Sequence, residues 1–117
     1  MSESFEAYQA ERARLTELVL EHGTKTTKRF FNLDSAAYRD GALPARTKEL
    51  LGLVASAVLR CDDCIRYHLD QAVAGGWSDE EIREALDVAL IVGGSITIPH
   101  VRRAYGDLEG LRATADE

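Results

Sequence analysis

The two cysteines of this 117-residue chain stand three positions apart in Arg60-Cys61-Asp62-Asp63-Cys64-Ile65-Arg66-Tyr67-His68, with an imidazole four residues beyond the second thiol. Three kinds of chemistry fit such a group. The thiols can cycle to a disulfide while the imidazole moves a proton. They can be part of a zinc site with His68 and His100, although the second cysteine pair such sites commonly use is missing. They can also be two small buried hydrophobes. If Cys61 opens a helix, Cys64 and His68 follow at i+3 and i+7 on one face. The sulfurs are then close enough to bond, and the N–H groups of the helix start favour a thiolate. Asp62 and Asp63 cap that terminus but oppose a thiolate electrostatically.

Glu49 can join the group by one geometry only. On a straight helix it would lie about 18 Å from Cys61, at about 1.5 Å per residue, too far to act. If the chain instead folds back near Leu59 to Asp62, Glu49 and His68 come to similar heights on two antiparallel helices, so Glu49 meets His68 and not the thiols. A carboxylate that orients an imidazole, which takes a proton from a thiol, is the logic of an activated nucleophile.

The elements that must do this positioning read as helices. Proline occurs only at Pro44 and Pro99, and glycines fall where helices should stop, as at Gly23, Gly75-Gly76 and Gly93-Gly94. The pattern predicts six helices and an all-α fold, expected as one domain over residues 1–117. The first runs from Ser4 to Glu21, with Phe5, Tyr8, Leu15, Leu18 and Val19 on one face. A second covers Lys28 to Asp40. Pro44 suits the first turn of a third, Ala45 to Leu59, which from Leu50 is apolar almost all round and so belongs inside a core or an oligomer. The fourth, Asp62 to Ala74, carries the thiols and His68. Ser78 and Glu81 form a capping box for the fifth, with Trp77 as its hydrophobic staple. The sixth starts near His100 and fades around Gly106 to Leu111, leaving a frayed tail from Arg112.

Composition excludes several classes. A net charge of -6 and a pI near 5.1 argue against nucleic-acid binding, which needs clustered Lys and Arg. Uncharged runs such as Val88 to Pro99 are far shorter than the roughly 20 apolar residues of a membrane span, so no membrane association is expected. The start Met1-Ser2-Glu3-Ser4-Phe5-Glu6 lacks a basic n-region and an apolar h-region. A cytoplasmic location is the expectation, and there a C-x-x-C pair reads as a redox or metal motif before a structural staple.

Taken together, Glu49 through His68, with its E-x11-C-x-x-C-x3-H spacing, resembles the AhpD-like branch of the carboxymuconolactone decarboxylase superfamily. The likeness continues through Ala72 to Gly76, the Ser78 helix start and the Gly-Gly-Ser break, covering residues 44–105. The resemblance implies a helical fold assembled into homotrimers or homohexamers and a thiol-dependent peroxidase without a bound cofactor or metal. Carried over, Cys64 attacks a hydroperoxide, Cys61 resolves the sulfenic acid to a disulfide, His68 is the base, and Glu49 orients it. His100 is a further candidate from another helix. A dithiol or a lipoylated protein is the implied reductant. One position departs from the pattern: an aromatic residue often precedes the second cysteine, and here it is Asp63, whose charge opposes thiolate formation. Two alternatives stand beside this reading. One is a decarboxylase of a carboxymuconolactone-type lactone, which needs no dithiol. The other is a non-catalytic redox-sensing module whose disulfide alters an interface.

Overall fold

The computed structural model describes residues 4–115. Among them are six α-helices and one short 3-10 turn: α1 Phe5–His22, α2 Lys25–Ala37, α3 Ala45–Val58, α4 Asp62–Ala74, α5 Asp79–Gly93, the turn Ser95–Thr97, and α6 Ile98–Ala115. The all-α expectation holds. The chain divides into two compact units, Met1–Arg39 and Asp40–Glu117.

The first unit is a helix pair. Ser4 caps α1 by accepting from the Ala7 N–H, and Phe5 and Tyr8 are buried, their rings edge-on at 5.1 Å. The rest of the expected apolar face, Leu15, Leu18 and Val19, is exposed. The second helix begins three residues before the expected Lys28, because the Thr24 side chain accepts from the Thr27 N–H and supplies a cap. Lys25, Lys28 and Arg29 lie on its exposed surface.

The second unit packs α3 against α4 and α5, with α6 across α4 and α5. Its core is Leu53 and Ala57 of α3, Ile65, Leu69 and Ala72 of α4, Ile82, Leu86 and Ala89 of α5, and Ala104, Leu108 and Leu111 of α6. These positions recur at three- and four-residue spacings, the stripe that one buried helix face requires. Trimming any of the fully buried leucines to alanine would cost about 2–5 kcal/mol. The capping box at Ser78 and Glu81 forms as expected. Trp77 also reaches back to α3: its indole N–H donates to the Arg46 carbonyl at 2.9 Å, and the Arg46 guanidinium lies 3.7 Å above its ring.

Two corners place the site. At the first, α3 reverses into α4 through Arg60, which has φ 61°. The Arg60 N–H donates to the Ala57 carbonyl and the Cys61 N–H to the Ser56 carbonyl, the paired bonds of a Schellman helix end. Cys61 therefore closes one helix and caps the next. The left-handed conformation costs a non-glycine residue about 1 kcal/mol or more, and the larger unfolded-state entropy of glycine offsets part of any relief. Arg60→Gly should raise Tm by about 2–4 °C and Arg60→Val should lower it; thermal melts followed by circular dichroism check both.

At the second corner, Gly94 adopts φ 81° and a Cβ on Gly93 would stand 2.5 Å from the Thr97 side chain. The buried Thr97 hydroxyl donates to the Gly94 carbonyl at 2.8 Å. This tight turn starts α6 at Ile98, two residues before the expected His100, and puts Pro99 in the first turn. The helix does not fade at Gly106. Leu108 and Leu111 are buried beyond it, and Arg112, expected in a frayed tail, donates to the Trp77 carbonyl and to Asp79. Residues 116 and 117 of that tail lie outside the described part.

Candidate functional site

The first corner brings together residues that are far apart on the chain. Glu49 lies in the second turn of α3 and His68 in the second turn of α4, and the reversal sets them side by side: His68 Nδ1 is 2.8 Å from Glu49 Oε2. Both side chains are about nine-tenths buried. Because a carboxylate only accepts, Nδ1 carries the proton and Nε2 is left as the basic nitrogen of the neutral ring. Tyr67 packs edge-on against the imidazole, with ring centres 5.1 Å apart.

Cys61 and Cys64 form a disulfide, with Cα atoms 5.3 Å apart. The Cys61 sulfur accepts from the Cys64 N–H at 3.3 Å, so it occupies the N-cap of α4. A sulfur there faces the positive end of the helix dipole, which favours its thiolate once the bond is reduced. Cys64 is exposed and Cys61 half-buried. His68 follows Cys64 by one helical turn, on the same face of α4.

His100 does not enter this cluster directly. Its Nδ1 is 2.7 Å from Asp62 Oδ1, while Arg103 Nε is 2.9 Å from Asp62 Oδ2. Both come from α6, so the start of α4 is clamped by a helix that sequence spacing did not connect to it. Sequence spacing gives no sign of the His100–Asp62 pairing or of Arg103; the acidic residues next to the thiols are the one local signal that a countercharge belongs there. Asp63 is exposed to solvent, and at 4 Å in water two unit charges interact by only about 1 kcal/mol. Among the described residues no three His, Cys, Asp or Glu side chains are arranged to hold a metal ion.

Partial burial raises the pKa of Asp62, but the His100 hydrogen bond and the Arg103 charge outweigh it and hold the carboxyl below its ordinary range. A carboxylate depressed in the folded state adds stability at pH above its unfolded value and loses it as pH falls through the folded one. Asp62→Asn should therefore cost stability near neutral pH, with the difference from wild type shrinking below about pH 4. Tm measured against pH for both proteins checks this. The effect is small, because the Asp62 side chain is 45% exposed and solvent screens the pair.

An antiparallel helix pair bearing a disulfide at its corner and a buried carboxylate–imidazole pair a turn below defines a class of helical dithiol domains. Residues 24–106 match the Carboxymuconolactone decarboxylase family, and the chain belongs to that family. It is similar to a crystallised family member from Thermotoga maritima for which a part in the antioxidative response has been suggested, at 64% identity and TM-score 0.90 over 94% of this chain and 93% of that one. An uncharacterised protein of Cupriavidus necator is 29% identical over 87% of this chain and 96% of its own length. The alkyl hydroperoxide reductase AhpD of Anaeromyxobacter is 40% identical over 52 residues, which are 42% of this chain and 28% of that enzyme. No described helix is long and apolar enough to cross a membrane.

Proposed function

We propose that this protein is a thiol-dependent peroxidase that reduces hydroperoxides through Cys64 and returns to the dithiol by disulfide exchange. The observation that carries the reading is the buried Glu49–His68 pair one helical turn from the Cys61–Cys64 disulfide. The similarity to AhpD over the matching segment and the antioxidative role suggested for the Thermotoga relative support it.

In the reduced protein, His68 Nε2 takes the Cys64 proton while Glu49 holds the ring by Nδ1–H. The Cys64 thiolate attacks the terminal peroxide oxygen, the O–O bond breaks, and the alkoxide leaves as an alcohol with the proton His68 received. Cys64 is now a sulfenic acid. The Cys61 thiolate, favoured at the helix N-cap once its proton has passed to solvent, attacks that sulfur; the S–S bond forms, the S–O bond breaks, and the hydroxide leaves as water by taking a proton back from solvent. An external dithiol, free or as a lipoyl group on a partner protein, reduces the bond and is itself closed to a disulfide. Peroxide consumption measured with a dithiol reductant tests the reading. Turnover that needs neither cysteine, or turnover of a lactone surviving in the Cys61→Ser/Cys64→Ser double variant, would contradict it.

The protein acts in the cytoplasm as a homotrimer or homohexamer. The apolar residues Leu51 on α3, Leu59 at its C-cap, and Val88, Ile91 and Val92 on α5 are exposed in the single chain, Ile91 at 85%, and so wide a set is rarely left to water. Light scattering at micromolar concentration should give a mass of at least three chains, and Ile91→Lys should reduce it to one; a wild-type monomer would contradict the assembly.

A further inference from the structure

Asp62 follows Cys61 at the first position of α4, where its charge suits the helix dipole but disfavours a neighbouring thiolate. Left alone, it would favour the disulfide over the dithiol. The fold answers that charge at both oxygens from α6, with His100 Nδ1 on Oδ1 and Arg103 Nε on Oδ2. Since the carboxylate only accepts, His100 Nδ1 bears the proton. The 3.2 Å approach of Arg103 Nη2 to that nitrogen then sets two donors around one carboxylate and is no third hydrogen bond. Proton transfer among Cys64, His68 and Glu49 uses neither α6 residue, so the pair has a different task.

We infer that His100 and Arg103 are positioning residues that neutralise Asp62 and thereby keep the Cys61–Cys64 disulfide more readily reduced than its acidic flank would allow. The inference rests on the proposed function only in that the pair must cycle between disulfide and dithiol. The couple is simple. The protein S–S bond takes up two electrons and two protons from dithiothreitol, which closes to its cyclic disulfide. The reduced side is favoured to the extent that Cys61, at the N-cap, is held as thiolate. Uncovering Asp62 raises the energy of that thiolate and leaves the disulfide relatively more stable. Removing His100 and Arg103 must therefore make the pair harder to reduce, and removing the carboxylate as well must undo the change.

The experiment equilibrates the full chain with graded mixtures of reduced and oxidised dithiothreitol at pH 7 and counts protein thiols by alkylation and mass spectrometry. His100→Ala/Arg103→Gln should shift the equilibrium constant about fivefold toward the disulfide, the effect of one nearby charge in a partly solvated setting. Adding Asp62→Asn to that variant should return it to within twofold of wild type. A structural clamp without electrostatic function behaves otherwise, since removing Asp62 also would not repair it. A shift below twofold, a shift that Asp62→Asn leaves in place, or a wild-type pair that dithiothreitol does not reduce would overturn the inference. Arg103→Gln alone, which keeps the His100 bond, gives the same reading at smaller amplitude if the double variant does not fold. No peroxide is present, so a protein that shows the shift yet consumes no hydroperoxide keeps this inference and loses the peroxidase.

Discussion

Cys64→Ser should bring hydroperoxide consumption down to the rate of a protein-free blank. A serine hydroxyl stays protonated near neutral pH and is a poor nucleophile toward peroxide oxygen, whereas a thiol beside a base is partly thiolate and highly nucleophilic. Neither the imidazole nor the buried carboxylate can compensate, because the oxygen atom must be accepted by sulfur. The companion variant separates the roles of the two cysteines. Cys61→Ser retains the attacking thiol and the relay, so it should consume about one equivalent of peroxide per chain and then stall as the sulfenic acid. Stopped-flow peroxide consumption distinguishes the two curves. If instead Cys61→Ser is inert and Cys64→Ser gives the single-turnover burst, the roles of the cysteines are exchanged.

His68→Ala should lower kcat/KM by about 10²–10⁴, the usual range for loss of a positioned general base. The Glu49→Gln loss should be smaller, since the amide oxygen can still accept from Nδ1–H while the charge that stabilises an imidazolium is gone. Burial predicts a stability cost as well. Glu49 and His68 satisfy each other in a site about nine-tenths closed to solvent, so His68→Ala leaves a buried carboxylate without this partner and should cost about 1–3 kcal/mol or more. Activity and Tm must be measured together. A His68→Ala protein that keeps wild-type kcat/KM would remove the imidazole from the reaction, whatever its Tm.

Much of this was legible in the chain because it depends on spacing along helices. Antiparallel geometry required Glu49 to meet His68 once the chain turned near Arg60, and that pair forms. The capping box at Ser78 was equally plain, since its two hydrogen bonds involve residues three apart. What sequence spacing could not supply was contact between helices with no shared turn. Asp62 and Arg103 are 41 residues apart, and no local pattern says that α6 lies across the start of α4. Helix ends differ from spacing for a related reason. The periodic residues of α6 are interrupted by Gly106 and Gly110, which suggest a stop, but burial of Leu108 and Leu111 outweighs the propensity cost of about 1 kcal/mol per glycine. Likewise Thr24 caps α2 without an apolar stripe following it at once, so spacing alone does not mark that start.

Asp63 changes weight between sequence and structure. Written next to Cys64 it looks like an obstacle to thiolate formation, yet its side chain is exposed, where water reduces a unit charge's effect to about 1 kcal/mol or less. Asp62 meets His100 and Arg103 from α6, and its charge is answered there.

The most direct test of the central claim is to identify the sulfur that receives the oxygen. The Cys61→Ser variant, fully reduced, is treated with a slight excess of hydroperoxide and trapped with a sulfenic-acid-specific dione, and the peptides are sequenced by mass spectrometry. The adduct is expected on Cys64, with labelling suppressed in Cys61→Ser/His68→Ala at early times. An unlabelled Cys64 after complete exposure to peroxide would contradict a peroxidase built on this site.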